Sequence, residues 1–277
     1  MMVQHSLSIC CESLKIMEEF VMKKIFACLL ALMLVLGCTA IAEDKPLAGK
    51  TLKIAMSPDF MYIETISETD PCGYEGLDID IIKSLSDKLG FEWEIVPMSF
   101  SSLIGSLQTG NADFVISGMS YTEERAQVVD FSMTYVTTDV GCVVPVASEI
   151  DSYDDLKNQI VCCSQGTTYE MLIEGIEGAT LKTYQGQAAV GAAVAQGADG
   201  VVAGLTSING SKKLANTMFA EDGSALLKYF VLDSEGVADK YNIAFPKGSE
   251  LVALVDGAIQ EMIDSGEMEK LVQYWLY

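Results

Sequence analysis

The chain has 277 residues and a formal net charge of −22, which allows one large domain or two modest lobes. A protein this acidic lacks the basic surface that nucleic acids and anionic lipid headgroups require, so neither class of partner is expected. The only histidine, His5, lies in a segment that we expect to be absent from the mature protein. Histidine-dependent catalytic triads and histidine metal sites are therefore excluded from the expected fold.

Residues 22–42 are typical of an export signal. Two lysines follow Met22, and an uncharged apolar run extends from Ile25 to Leu36. This run is too short for a membrane span, which takes roughly 20 residues, but it suits a signal peptide. Residues 1–21 precede the signal and have no signal character, so we expect them to be an upstream start-site artefact outside the fold.

Two processing sites compete at the end of this signal. Gly37-Cys38 resembles a lipobox, which would make Cys38 a lipidated N-terminus. Ala40-Ile41-Ala42 is a small-x-small cleavage site, which would release a chain that starts at Glu43. Leu36 is bulkier than the usual residue of a lipobox, so lipidation is only slightly favoured. Either route predicts an exported protein, periplasmic or tethered to the outer face of the cytoplasmic membrane.

From residue 50 onward, strand-like and helix-like segments alternate. The pattern predicts strands or apolar runs at 52–56, 91–96, 114–116, 141–146, 160–163, 181–184, 201–203, 227–231 and 241–245. It predicts helices at 79–89, 103–107, 171–174, 187–195, 207–217, 251–263 and 268–275. This alternation is typical of an α/β protein with mostly parallel sheets. Such folds place ligands at the carboxyl ends of strands, where Gly118-Met-Ser and Gln165-Gly-Thr-Thr fall.

The stretch that begins at Gly118 combines a strand end, a helix start and an unusual charge. Thr122 is a good helix N-cap, but Arg125 opposes the helix dipole and is the only arginine in the sequence. A guanidinium grips a carboxylate through two parallel hydrogen bonds. Gly118 permits close backbone approach, and Ser120 adds a hydroxyl. Arg125 is therefore a candidate carboxylate clamp; the alternative is a surface arginine paired with a nearby acid.

Four cysteines lie in the body of the chain, and their spacing matches no zinc pattern. Cys162 and Cys163 are adjacent and would point to opposite faces of a strand, so at least one is expected in the core. A disulfide among Cys72, Cys142, Cys162 and Cys163 cannot be assigned from the sequence. No metal and no cofactor are predicted.

Several segments between Thr51 and Tyr277 resemble one known family when they are taken together. They are Gly76-Leu-Asp-Ile-Asp-Ile-Ile, Pro97-Met-Ser-Phe-Ser-Ser-Leu-Ile, Leu107-Gln-Thr-Gly-Asn-Ala-Asp, Ser120-Tyr-Thr-Glu-Glu-Arg, Val129-Asp-Phe-Ser, Gln165-Gly-Thr-Thr-Tyr and Asp264-Ser-Gly-Glu-Met-Glu-Lys-Leu with Trp275. Each is weak alone, but their order and spacing are specific. The chain resembles the solute-binding proteins of amino-acid ABC transporters, the polar-amino-acid family with the type II periplasmic-binding-protein fold.

The resemblance implies an α/β, two-lobed fold with a two-segment hinge. The first lobe would be 49–137 plus 240–277 and the second 138–239, with crossing segments near Thr137 and Asp239. The ligand would be enclosed when the lobes close. The resemblance also implies an extracytoplasmic, non-enzymatic binding protein, expected to be a monomer, that delivers a small carboxylate-bearing solute, an amino acid or derivative, to an ABC permease in the membrane.

The resemblance also assigns ligand-binding roles by motif position. Arg125 would hold the ligand carboxylate, and Phe60 and Phe100 would pack on its body, although core packing is the commoner fate of a phenylalanine. The remaining predicted contacts are Ser57, Asp59, Ser117, Gly118 and Ser120 from the first lobe and Ser164, Gly166, Thr167 and Thr168 from the second. For the last three of these, a turn and helix cap is the alternative.

Two departures from the family bear on the ligand's amine. Many members have an aspartate where this chain has Ser57, and members that bind α-amino acids have one after the third strand of the second lobe, where we align Gly204. An unpaired amine in a desolvated cleft is costly, so Asp59 and Glu64 are candidate substitutes.

Two other functions stay open at this point. A cyclohexadienyl-dehydratase-like enzyme on the same fold is one, and it would need a general acid such as Asp59 or Glu64. The other is a sensor that presents its closed form to a receptor. The sequence does not separate such a sensor from a transport component.

Overall fold

A computed structural model describes residues 45–233 and 238–277. The export signal 22–42, the lipidation candidate Cys38, the upstream residues 1–21 and His5 all lie outside the described residues. Within those two ranges, no helix is long and apolar enough to cross a membrane. The same ranges contain no group of three or more histidine, cysteine, aspartate or glutamate residues that could hold a metal ion.

Strands and helices alternate through the described chain, as the sequence predicts. The strands are β1 (Thr51–Met56), β2 (Asp59–Phe60), β3 (Glu64–Ile66), β4 (Tyr74–Glu75), β5 (Glu92–Pro97), β6 (Phe114–Val115), β7 (Val129–Phe131), β8 (Val136–Thr138), β9 (Val140–Pro145), β10 (Ile160–Ser164), β11 (Thr180–Tyr184), β12 (Ala203–Ser207), β13 (Leu227–Val231), β14 (Asp239–Tyr241) and β15 (Ala244–Pro246). The helices are α1 (Leu77–Leu89), α2 (Leu103–Gln108), α3 (Glu123–Ala126), α4 (Tyr169–Glu174), α5 (Gln187–Gln196), α6 (Ile208–Thr217), α7 (Leu251–Asp264) and α8 (Glu267–Leu276).

Each lobe is built on one five-stranded sheet. The first has the order β5-β1-β6-β15-β7, and the second has the order β11-β10-β12-β9-β13. In both sheets two pairings are parallel and two are antiparallel. Four strands of each sheet therefore run in the same direction, and one strand, β15 in the first sheet and β9 in the second, is reversed. These two strands enter their sheets directly from a crossing segment rather than from a helix.

The two predicted crossing segments lie side by side. β8 and β14 pair antiparallel, with Thr138 opposite Asp239 and Val136 opposite Tyr241. Both segments run between the sheets, so the chain passes from one lobe to the other twice at the same place. The lobe bounds themselves, 49–137 with 240–277 and 138–239, stay a prediction.

Helix α1 shows how local pattern and packing agree in the first lobe. Ile79, Ile82 and Leu85 fall at helical spacing and are fully buried. The helix ends at Gly90, whose φ of 86° is the left-handed conformation that glycine adopts readily. Its outer face is joined to α8 by Trp275 Nε1, which donates to Asp80 Oδ2 at 2.8 Å.

The cysteines of the second lobe are core residues. Cys162 and Cys163 lie on opposite faces of β10, each in a separate apolar cluster, which confirms the prediction that at least one is buried. Burial raises the pKa of both thiols to about 12, so they are poor nucleophiles at neutral pH. The four cysteines of the described chain are free, and no disulfide joins them.

One strand boundary differs from its prediction with a consequence for the site. The third strand of the second lobe was predicted at 201–203, but β12 spans Ala203–Ser207. Gly204 therefore lies inside the strand, where an added Cβ would meet Val190, Val194 and Val143. A side chain at Gly204 would enter the core of the lobe, so this position does not face the cleft; its alignment with the aspartate of the family stays a prediction.

Candidate functional site

A cavity of about 40 Å³ lies between the lobes, where strand ends from both sheets meet. Its position agrees with the general placement of ligand sites at the carboxyl ends of strands. All the predicted ligand-binding residues line it except Ser117 and Gly166. The lining residues are Ser57, Asp59, Phe60, Phe100, Gly118, Ser120, Arg125, Ser164, Thr167, Thr168, Tyr169, Gly186, Gln187 and Asp239.

Arg125 bridges the two lobes. The short helix α3 begins as predicted, with Thr122 Oγ1 accepting from the Arg125 N–H at 3.1 Å. The guanidinium donates to the carbonyls of Ser120 at 2.5 Å and Gly166 at 2.7 Å, and it lies 5.6 Å from the centre of the Phe100 ring. Burial lowers the pKa of Arg125, and the nearby charges of two glutamates oppose that shift.

The partners of Arg125 leave its charge available. Carbonyl oxygens satisfy N–H groups but carry no formal charge. None of the ion pairs among the described residues involves Arg125. The alternative of a surface arginine paired with an acid is therefore not what the fold provides, and a half-buried cation that lines the cavity and forms no ion pair favours an anionic ligand.

Asp59 is held from both lobes. Its Oδ1 accepts from Ser57 Oγ at 2.8 Å, and the backbone N–H of Gln187, the first residue of α5, lies near enough to its carboxylate to influence its pKa. Burial raises its pKa, and these hydrogen bonds lower it. The positive end of the helix dipole favours an anion at this position.

Gly186 makes this contact between the lobes feasible. Its φ is 78°, and an added Cβ would collide with Asp59 Oδ2. Any larger residue would push the carboxylate away from α5. Gly186 and Gln187 were not predicted as site residues, because their proximity to Asp59 exists only when the lobes are packed together.

Asp239 is a functional candidate that the sequence reasoning missed. It was used only to mark the hinge, but its carboxylate lines the cavity and accepts from the Tyr169 hydroxyl at 2.6 Å. Burial raises its pKa to about 7. The signal in the sequence was an acidic residue on one of the two segments predicted to cross between the lobes.

The second lobe meets the cavity with hydroxyls. Thr167 Oγ1 donates to the Ser164 carbonyl at 2.7 Å, and Gly166 has a φ of 81° in the tight turn between them. Thr168 precedes α4, but its side chain makes no capping hydrogen bond. The turn interpretation therefore holds for Gly166, and Thr168 occupies the N-cap position of α4 without a capping side-chain bond.

Phe60 and Phe100 both line the cavity but pack against different groups. Phe60 packs edge-on against Tyr241 at 5.8 Å, so it belongs to the core as well as to the cavity wall. Phe100 lies beside the guanidinium of Arg125. Gly118, with a φ of 52°, passes so close to Phe60 that an added Cβ would collide with the ring.

Glu64 and Ser117 lie behind the cavity wall rather than in it. Both are fully buried, and Ser117 Oγ donates to Glu64 Oε1 at 2.5 Å. Of the two candidate substitutes for the missing aspartate, Asp59 faces the cavity and Glu64 does not.

Two larger cavities adjoin the central one. One of about 410 Å³ shares Arg125 and Thr167 with it. Another of about 320 Å³ shares Ser57, Asp59, Phe100 and Gly186. The central cavity has room for only a few water molecules, so a solute the size of an amino acid requires the lobes to move apart.

Comparison with known proteins gives consistent results. A family model described as bacterial extracellular solute-binding proteins, family 3, matches residues 52–277. The arginine-binding extracellular protein ArtP of Bacillus subtilis (strain 168) is 31% identical over 204 residues, which cover 72% of this chain and 77% of ArtP. An ancestral arginine-binding protein solved with bound arginine has 29% identity and a TM-score of 0.72, covering 82% of this chain and 98% of that chain. The ancestral amino acid-binding protein AncCDT-1, a precursor of cyclohexadienyl dehydratase, has 29% identity and a TM-score of 0.70, covering 82% and 96%.

Proposed function

The chain belongs to family 3 of the bacterial extracellular solute-binding proteins, the amino-acid-binding components of ABC importers, and we propose that its ligand is an L-amino acid with a cationic side chain. The observation that carries this proposal is the charge of the cavity. Arg125, Asp59 and Asp239 line the same enclosed space.

The charge balance favours a ligand with a net charge of +1. With both aspartates ionised, the three side chains carry one positive and two negative charges. A neutral amino acid would leave one buried carboxylate without a counter-charge, which is costly in a desolvated site. An amino acid with an ammonium or guanidinium side chain supplies the missing cation.

Each ligand group has a candidate partner. The carboxylate would bind Arg125, whose protein partners are uncharged carbonyls. The α-ammonium would bind Asp239, whose one side-chain donor among the described residues is the Tyr169 hydroxyl. The side-chain cation would extend past Asp59 toward the adjoining cavity of about 320 Å³. The name of ArtP and the arginine in the ancestral binding protein support the same ligand class.

A calorimetric titration with matched ligands tests this proposal. L-arginine and L-lysine are expected to bind more tightly than L-glutamine, and L-glutamate is expected to bind least. Agmatine lacks the carboxylate and guanidinovaleric acid lacks the α-amine, so both should bind more weakly than L-arginine. Tighter binding of L-glutamate than of L-arginine would contradict the charge argument, and equal binding of agmatine would contradict the role of Arg125.

The family membership also supports the expected partners. We propose that the exported protein acts as a monomer and delivers its ligand to a membrane-embedded ABC permease. We further propose a lipid tether at Cys38, which lies outside the described residues. Mass spectrometry of the membrane fraction tests the tether, since an N-terminal fragment that starts at Glu43 would exclude it.

A second candidate function is a cyclohexadienyl-dehydratase-like activity. It is favoured by Asp239, a cavity carboxyl whose pKa of about 7 suits a general acid, and by the similarity to AncCDT-1. Glu64, one of the two acids predicted for this role, does not reach the cavity. Absence of turnover of prephenate and arogenate at high protein concentration removes this candidate.

A further inference from the structure

Two carboxyl groups are buried together behind the first-lobe wall of the cavity. Glu64 on β3 and Asp78 in the first turn of α1 are both 0% exposed. Their carboxyl groups lie close enough together for each to influence the pKa of the other. In the described part of the chain, neither takes part in an ion pair.

This contact requires a proton. A carboxylate can only accept hydrogen bonds, so two carboxyl groups bond to each other only when one carries a proton. Glu64 Oε2 is buried and has no hydrogen-bond partner among the described residues, so a proton shared with Asp78 would satisfy it. Two adjacent ionised carboxyls without a cation would also repel each other at a buried site. Burial, followed by the charge of Asp78, raises the pKa of Glu64 well above its ordinary value. Burial raises the pKa of Asp78 to about 6.

The pair is attached to the cavity wall at two points. Glu64 Oε1 accepts from Ser117 Oγ, which in turn accepts from the backbone N–H of Ser57 at 3.0 Å. Asp78 Oδ2 accepts from the backbone N–H of Gly118 at 2.8 Å. Ser57 and Gly118 both line the cavity. The carboxyl pair thus fixes two strand ends from which the ligand site is built.

We propose that Glu64 and Asp78 share a single proton, and that this proton positions the Ser57 and Gly118 backbone for ligand binding. Loss of the proton in alkaline solution places two negative charges behind the wall and displaces both strand ends. Ligand affinity then falls although neither carboxyl touches the ligand. The proposal rests on the proposed function only in that a ligand occupies this cavity.

The other titratable groups that face the pair do not compete for this role. Tyr135 donates to Asp78 Oδ1 at 2.7 Å, and Tyr241 approaches from β14. Burial raises the pKa of both phenols well above the ordinary value, so they stay neutral. Asp59 is the remaining charge near Glu64, and as an anion it further opposes ionisation of Glu64.

The test compares the wild-type protein with Glu64→Gln over pH 7 to 10, using L-arginine as the probe. The side-chain amide of this variant can donate to Asp78 at every pH, because its N–H cannot be lost. Wild-type affinity is expected to fall more steeply than that of the variant, with an extra loss of up to about tenfold per pH unit, the limit for coupling to one proton. Titration of the L-arginine α-amine affects both proteins equally and cancels in the comparison. Glu92→Gln changes an exposed acid of the same lobe and should show the same pH dependence of L-arginine affinity as the wild type. Parallel profiles for wild type and Glu64→Gln would overturn the proposal.

A second measurement does not depend on any ligand. Carbon-13 NMR of the side-chain carboxyls of the ligand-free wild-type protein should show one of the two groups protonated far above the ordinary carboxyl range. Independent titration of both near ordinary values would overturn the shared proton, even if Glu64→Gln does not fold. If L-arginine fails to bind at any pH, the proposed ligand class is wrong. The NMR titration still decides whether Glu64 and Asp78 share a proton.

Discussion

The two walls of the cleft differ in chemistry. The first lobe contributes charge: Arg125 and Asp59 at the surface of the cavity, with Glu64 and Asp78 behind it. The second lobe contributes neutral groups, chiefly the hydroxyls of Ser164, Thr167 and Thr168 and the N-terminus of α5. Asp239 lies on a crossing strand between them.

This difference indicates separate roles for the two lobes in ligand binding. Charged groups on the first lobe are held in place by hydrogen bonds within that lobe, so they can select a ligand before the lobes close. The second lobe then completes the enclosure through contacts with Asp59 and Arg125. Four substitutions can break or sharpen this comparison, and they are ordered by the expected size of the effect.

Arg125→Ala should have the largest effect. It removes the only cation of the cavity lining, and loss of a buried charge partner costs about 2–5 kcal/mol of affinity. Calorimetry measures this change, while the melting temperature of the ligand-free protein should barely move. Lys157→Ala serves as a control, because it removes an exposed cation that pairs with the nearby Asp154, and neither residue lines the cavity. Near-wild-type affinity in Arg125→Ala would refute the clamp.

Gly186→Ala tests closure rather than charge. The added Cβ would collide with the Asp59 carboxylate, and overpacking of this kind costs about 1–3 kcal/mol. We expect weaker ligand binding and a smaller ligand-induced compaction in small-angle scattering. Gly197→Ala is the matched control, because Gly197 also has a positive φ, 61°, but no atom lies within 4 Å of its added Cβ. Equal effects of the two variants would mean that backbone strain, and not the contact with Asp59, is responsible.

The raised pKa of Asp239 predicts that ligand affinity falls in acidic solution. Its pKa of about 7 means that it becomes neutral as the pH falls from about 8 to 6, so affinity for a cationic ligand should fall by up to about 1.4 kcal/mol per pH unit. Stability should change in the opposite sense. Because the folded-state pKa is raised, the Asp239 contribution to stability is fully present below its ordinary pKa and is lost as the pH rises through about 7.

Asp239→Asn separates this residue from other titrating groups. The variant should bind cationic amino acids more weakly at pH 8, and both pH dependences should flatten. Calorimetry and chemical denaturation at pH 6 and pH 8 measure the two trends. If the variant retains the wild-type pH profile, a group other than Asp239 is responsible for the titration.

Lys213→Ala should have the smallest effect. The Lys213 ammonium on α6 lies 5.2 Å from the centre of the Tyr62 ring on the first lobe, and a cation–π contact contributes about 0.5–1 kcal/mol. Loss of this contact should weaken ligand binding slightly by destabilising the closed form. Lys212→Ala, at the exposed neighbouring position, is the control and should change nothing. If the two variants bind the ligand equally well, the contact between Lys213 and Tyr62 does not stabilise the closed form.

The local signals of the sequence predicted much of this molecule. Apolar periodicity and Gly90 predicted helix α1, and Thr122 predicted the start of α3, because these features depend on neighbouring residues along the chain. The singular Arg125 pointed to a carboxylate site for the same reason. The order and spacing of the motifs predicted the two-lobed fold and the family.

The tertiary structure alone decided which acids reach the cavity. Asp59 faces it and Glu64 is buried behind it, although both lie in the same loop region and were equal candidates. Asp239 joins the cavity because β14 pairs with β8, a partner about one hundred residues away. Gly204 lies inside a core strand because β12 extends to Ser207, beyond its predicted end. Burial, lobe contact and strand direction depend on residues distant in sequence, so no local pattern contains them.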